Sequence, residues 1–219
     1  MAKRILVLNP NSTQSCTDAI DRAAEPFRAE DMTIEAETIQ SGPPSVATMT
    51  EYALAQASVA SHLQERNAAV DAVVVACFSD PALAAAHEIT GAPCFGVGES
   101  AIYAAMQRGY RFGVIALGPA SIARQQRRMA ELGVDGRYVG SRPVGLSVPE
   151  LADEGRTADA MAEAGRRLVE EDGAEAVIMG CAGMGDYRQM LAEATGAAAV
   201  VEPTQAALVA ATGALRQGW

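Results

Sequence analysis

Short apolar runs, rich in β-branched residues, alternate along the chain with helical stretches. RILVLN (4–9), MTIEAETI (32–39), AVVVA (72–76), PCFGV (93–97), RFGVIAL (111–117), RYVGS (137–141), AVIMG (176–180) and AAVVE (198–202) read as strands. Continuous apolar strands separated by helices predict parallel sheet covered on both faces, hence an α/β fold. The punctuation agrees. Asp80-Pro81 predicts an N-cap followed by a first-turn proline, with Gly91 ending that helix, and Asp186 to Gly196 repeats the plan. EGRTADAMAEAGRRLVEEDG (154–173) predicts a long helix whose charges form a solvated face.

The pattern also repeats within the chain. DAVVVACFSDPALAAAHEITGAP (71–93) can be laid over EAVIMGCAGMGDYRQMLAEATGAA (175–198), with Cys77 falling on Cys181. KRILVLNPNS (3–12) resembles YRFGVIALGPAS (110–121), each an apolar strand leading into a proline-containing loop and a serine expected to cap a helix. Two copies of one α/β unit, about 105 residues apart, predict two pseudo-symmetric lobes, each a mostly parallel sheet flanked by helices. The expected division is 1–98 with 203–219 as the N-terminal lobe and 99–202 as the C-terminal lobe, with the active site in the cleft between them.

That architecture changes how the cysteines are read. Ligands of open parallel sheets bind beyond the carboxyl ends of strands. Cys77 and Cys181 each follow such an end, so an approximate two-fold axis would present two thiols to one bound molecule from opposite sides. A carbon acid can lose its proton to a thiolate on one face and regain one from a thiol on the other, which inverts the centre. Near neutral pH this needs help, since a free thiol has a pKa of about 8.5. Phe78-Ser79-Asp80-Pro81 and Ala182-Gly183-Met184-Gly185 lead each cysteine toward a helix start, whose unpaired N–H groups favour negative charge on a thiolate or an enolate oxygen. The glycines of GCAGMG permit close backbone approach to a ligand.

Each residue also has a plainer reading. A cysteine after an apolar strand usually packs, and only the matched second copy turns Cys77 toward chemistry. Cys16 and Cys94 have no equivalents and read as structural. Asp80 reads as a cap rather than a base. His62 and His87 fall inside helices with no cysteine or carboxylate at ligand spacing. Asn9-Pro10-Asn11-Ser12-Thr13 is either a turn with a helix cap at Ser12 or Thr13, or a site in which Asn9 points its amide at the mouth of the cleft. Gly42-Pro43-Pro44-Ser45 is a turn or a loop bordering the substrate. No GxxxxGK[ST] or GxGxxG phosphate loop is present.

Composition narrows the partners. The 219 residues carry a formal charge of −10 and a sequence pI near 4.7, a field that repels phosphate backbones and anionic lipid. No apolar stretch approaches the roughly 20 residues of a membrane span, and MAKRILVLN runs straight into a strand rather than a leader. The expectation is a cytoplasmic protein with a small-molecule substrate, binding neither nucleic acid nor membrane. The four cysteines (Cys16, Cys77, Cys94, Cys181) show no CxxC and no zinc-like spacing, so neither a disulfide framework nor a metal site is expected.

LNPNST, SGPPS, ACFSDPAL, GVGESA and GCAGM together resemble the hydantoin racemase branch of the aspartate/glutamate racemase superfamily, over nearly the whole chain. The resemblance implies a cofactor-independent two-base mechanism with Cys77 and Cys181 as the catalytic thiols. It further implies that Asn9, Ser79 and the backbone of Gly180, Ala182 and Gly183 line the substrate site, and that the protein is a homo-oligomer. Two departures stand out. Ser79 occupies a position where hydantoin racemases favour an acidic residue, and VATMTEY (46–52) replaces a glycine-rich, aromatic-bearing segment. They leave a 5-substituted hydantoin, allantoin or an acidic amino acid open as substrate. A cis-trans isomerase of the maleate type and a bilobal ligand-binding protein are the rival readings. Having both cysteines counts against an arylmalonate decarboxylase, which keeps only the second.

Overall fold

The structure is a computed structural model that describes residues 2–66, 69–197 and 199–219. β1 (Lys3–Asn9), β2 (Met32–Thr38), β3 (Ala72–Val75) and β4 (Cys94–Gly96) form one sheet in the order β2-β1-β3-β4. β5 (Phe112–Ala116), β6 (Tyr138–Pro143), β7 (Ala176–Met179) and β8 (Ala199–Val201) form a second in the order β6-β5-β7-β8. All neighbouring strands are parallel. Residue 198, the first of the expected strand 198–202, lies outside the described residues.

A helix follows every strand: α1 (Gln14–Ala24), α2 (Met49–Glu65), α3 (Leu83–Thr90), α4 (Val97–Arg108), α5 (Pro119–Glu131), α6 (Glu154–Glu170), α7 (Arg188–Thr195) and α8 (Pro203–Gln217). The two halves thus share element order and sheet order, as the repeat predicts.

Strand alternation builds the core. Ile5, Val7 and Val74 of the first sheet and Ile115, Val177 and Met179 of the second point into one shared apolar cluster with α1, α6, α7 and α8. Their neighbours point the other way: Leu6, Leu8, Val73 and Val75 pack under α2 and α3, while Val114 and Ile178 pack with Ile102 of α4 and Met129 of α5. Burial on both faces is why the central strands are unbroken apolar runs. The charged helix 154–173 folds as α6, with Thr157, Met161, Ala164 and Leu168 buried and its charges largely outward.

Four expected caps are corrected. α3 begins only at Leu83, after Asp80 and Ala82 have turned left-handed with φ of 48° and 59°. Asp80 does not cap that helix. Its carboxylate reaches instead to the start of α4, accepting from the N–H of Gly98 at 2.8 Å and of Glu99 at 2.9 Å. Asp186 lies in the 3-10 turn Ala182–Tyr187 and pairs with Arg22 of α1 at 2.6 Å, so it does not cap α7. Ser12 precedes the N-cap position of α1, held by Thr13 without a side-chain bond, and Ser121 lies inside α5. Gly91 and Gly196 do end α3 and α7 in the left-handed conformation.

The second half caps its last helix from the adjacent residue: Glu202 accepts from Thr204 N–H at 3.0 Å and from Gln205 N–H. Glu202→Ala is expected to cost about 1–2 kcal/mol, read as a lower denaturant midpoint with an unchanged m-value.

Candidate active site

In each sheet the chain runs outward in opposite directions from the central pair, β1/β3 and β5/β7. The crevice beyond the carboxyl ends of such a pair is where open α/β sheets bind ligands. The two crevices open onto one partly open cavity. Cys77 and Cys181 both line it, each two residues past the end of β3 or β7. A wider groove adjoins it past Cys16, Val148 and Gly183.

The environments of the two sulfurs correspond. The N–H of Ser79 reaches the Cys77 sulfur and the N–H of Gly183 reaches that of Cys181. Each thiol also feels a buried carboxyl, Asp80 for Cys77 and Glu202 for Cys181. Burial pushes both carboxyls up to about 7, against the N–H groups they cap. Burial likewise pushes the Cys77 thiol up to about 11, opposed by the Ser79 N–H and by Arg124. Cys181 is raised well above the ordinary thiol range, first by its hydrogen bond with Cys16 and then by burial.

Cys16, expected to be structural, borders the same space. A Cβ built on Gly183 would lie 3.4 Å from Cys16 Sγ and 3.7 Å from Cys181 Sγ, so two sulfurs converge on that glycine. Asn11 Nδ2 donates to Cys16 Sγ at 3.7 Å. The Cys16 thiol is lowered, chiefly by its hydrogen bond to Cys181, and the same contact raises Cys181. Cys94 is buried in β4 and bonds the carbonyl of Ala92, away from the cavity.

Asn9, expected to face the cleft, is fully buried and spends its amide internally. Its Nδ2 donates to Asn11 Oδ1, Thr13 O and Thr17 Oγ1, and its Oδ1 accepts from Asn11 N–H. The residue of the NPNST loop that lines the cavity is Asn11. The loop at 42–46 is tied down by Ser12 N–H to Pro43 O at 3.0 Å and Thr13 Oγ1 to Pro44 O at 2.8 Å, and it delivers Val46 to the cavity wall. Ser79, Gly180 and Ala182 line the cavity, and Gly183 borders the adjoining groove. His62 pairs with Glu37 at 3.0 Å, and His87 lies on α3; neither reaches the thiols.

Arg124 of α5 completes the wall. Its Nε donates to Ser79 Oγ at 2.7 Å, and its two Nη atoms donate to the carbonyls of Val46 (2.9 Å) and Ala47. The two segments that depart from the hydantoin racemase pattern therefore meet on one arginine. Nothing in the sequence separates it from Arg127 and Arg128 of the same helix. Among the described residues no three His, Cys, Asp or Glu side chains are grouped as metal ligands would be. No described helix is long and apolar enough to cross a membrane.

Comparison with known proteins points one way. Residues 5–211 match the family model described as Asp/Glu/hydantoin racemase. A hydantoin racemase of Pseudomonas sp. (strain NS671) is 32% identical over 195 residues, 88% of this chain and 78% of the relative. A hydantoin racemase of Paenarthrobacter aurescens is 31% identical over 207 residues, 93% and 87% of the two chains. Among solved structures, allantoin racemase from Klebsiella pneumoniae superposes with a TM-score of 0.93 at 27% identity, covering 99% of this chain and 89% of that one.

Proposed function

The chain belongs to the Asp/Glu/hydantoin racemase family, and from that premise we propose that it is a cofactor-independent racemase or epimerase in which Cys77 and Cys181 serve as acid and base. The supporting observation is that two thiols, at equivalent strand ends of a repeated fold, line one cavity. The substrate is a small carbon acid with an activated α-hydrogen, a 5-substituted hydantoin or a related ureide. The hydantoin and allantoin racemases among its relatives support that choice.

On this reading the thiolate of one cysteine takes the α-proton from one face, and the electron pair moves into the ring carbonyl as an enolate. The thiol of the other cysteine gives its proton to the opposite face, and the enolate collapses to the inverted centre. The protein ends with the two protonation states exchanged. Cys77 is taken as the thiol that ionises first, because Arg124 and the Ser79 N–H favour its thiolate. The proposed lobes are 1–98 with 203–219 and 99–202; α8 packs back on α1, β3 and β4 of the first lobe, and also along α4, which bridges the two.

This carries a pH dependence. With Cys77 at about 11, its thiolate fraction in the free enzyme rises about tenfold per pH unit well below that value. kcat/KM, after subtraction of the uncatalysed rate, is therefore expected to rise with near-unit slope from pH 7 to 9. A circular-dichroism assay across hydantoins, allantoin, aspartate and glutamate measures it and tests the substrate class together. A flat or falling profile would contradict the assignment of a neutral thiol as the base. Iodoacetamide should label Cys77 before Cys181, as mapped by peptide mass spectrometry.

A further inference from the structure

The cavity wall carries two side chains, Arg124 and Ser121, with hydrogen-bonding capacity that the two-thiol mechanism leaves unused. Arg124 donates three of its five N–H groups, all to neutral oxygens, and forms no ion pair with any described residue. The neighbouring Arg128, by contrast, pairs with Glu99 at 3.2 Å and lies 3.7 Å from Asp80 and 3.8 Å from Glu131. Glu51, the carboxylate nearest in charge to Arg124, is spent on Ala47 N–H, Thr48 N–H and Thr48 Oγ1. One turn before Arg124 on α5, Ser121 is 2% exposed, lines the same cavity, and has an Oγ with no hydrogen-bond partner among the described residues. A largely buried guanidinium without an anion and a buried hydroxyl without a partner thus share one wall.

Both groups suit a planar anion. A carboxylate accepts from two N–H groups of one guanidinium and still has a lone pair for a hydroxyl. We propose that Arg124 and Ser121 form a receptor for a carboxylate on the substrate's α-substituent, so that the enzyme prefers an acidic 5-substituted hydantoin to its neutral isostere. The inference rests on the racemase reading above and names the substrate class for that same site. Ser79 then acts as a positioning residue, holding the fork of Arg124 through Nε.

The test compares 5-(2-carboxyethyl)hydantoin with 5-(2-carbamoylethyl)hydantoin, which differ in charge and little in shape. For the wild type, kcat/KM from circular dichroism should favour the acid by about 30-fold or more, the range seen when a buried charge pair loses one partner. Arg124→Gln should bring the ratio near one, mainly through a higher KM for the acid, and Arg124→Lys should restore part of it. Arg127→Gln, which removes the same charge from the exposed side of α5, should leave the ratio as it was. A wild-type ratio near one or favouring the amide, or a preference that survives Arg124→Gln, would overturn the inference, and the wild-type ratio decides even if the variants fold poorly. Thermal shifts of the wild type with each compound read binding without turnover. If neither these compounds nor allantoin, aspartate or glutamate racemises, the racemase reading fails, and the order of the two thermal shifts still decides the anion preference.

Discussion

Cys77→Ser and Cys181→Ser are each expected to lower racemisation by about 10²- to 10⁴-fold, the span of a lost general acid or base. Each variant should still exchange the α-hydrogen of one enantiomer with solvent deuterium. The reason is geometric: the surviving sulfur can remove a proton from the face it meets and return a deuteron there, but nothing delivers one to the opposite face. Because the two cysteines stand at equivalent strand ends of opposite lobes, the enantiomer that exchanges should differ between the variants. Proton NMR in D2O, starting from each enantiomer separately, follows both events. If both variants exchange both enantiomers at the wild-type rate, the two-thiol mechanism is wrong. If both lose the same enantiomer, the sulfurs do not act on opposite faces.

The second large effect is on stability, at a place where the site and the fold share atoms. A Cβ added at Gly98 would lie 2.2 Å from the carbonyl oxygen of Phe78 and 2.9 Å from Asp80 Oδ2. At Gly96 it would lie 2.3 Å from Asp80 Cγ. The first obstacle is backbone in the turn that carries Cys77, already bent through two left-handed residues, so it has little room to yield. Gly98→Ala is expected to destabilise the protein by about 3 kcal/mol, from overpacking and loss of the Asp80 bonds. For a chain of this length that lowers Tm by roughly 6–12 °C. Activity should fall further than stability explains, since the displaced turn carries a reacting sulfur. Gly136→Ala is the control, because nothing lies within 4 Å of the added carbon. A Gly98→Ala melt indistinguishable from that control would show that the turn is softer than its contacts imply.

Much of the scaffold was legible because parallel sheets leave a strong trace. A strand buried on both faces must be apolar throughout, and AVVV and AVIM admit few other readings. The duplication then made two cysteines comparable that would each have passed for packing. What stayed hidden was which partner a polar group chooses. Asp80 before a proline gives the same local signal whether its carboxylate bonds its own helix or one that begins after another strand. Asn9 and Asn11 sit in one motif, and only the folded loop shows that the first amide orders the turn while the second faces the cavity. Cys16 falls on the buried stripe of α1 with Ala19, Ile20 and Ala23, where packing and membership of the site look alike in sequence. Arg124 was illegible for a related reason: an arginine on an amphipathic helix is ordinarily solvated, and its burial depends on loop carbonyls far away in the chain.

The unequal company of the two thiols, Arg124 near one and Cys16 against the other, meets a thermodynamic limit. For a substrate with a single stereocentre, mirror images have equal free energy in water. The overall equilibrium constant is therefore one, and kcat/KM must be the same in both directions whatever the protein does. Asymmetry in the cavity cannot make the enzyme a better catalyst one way than the other. It can only divide the same ratio differently, giving the enantiomer that fits more tightly both a lower KM and a proportionately lower kcat.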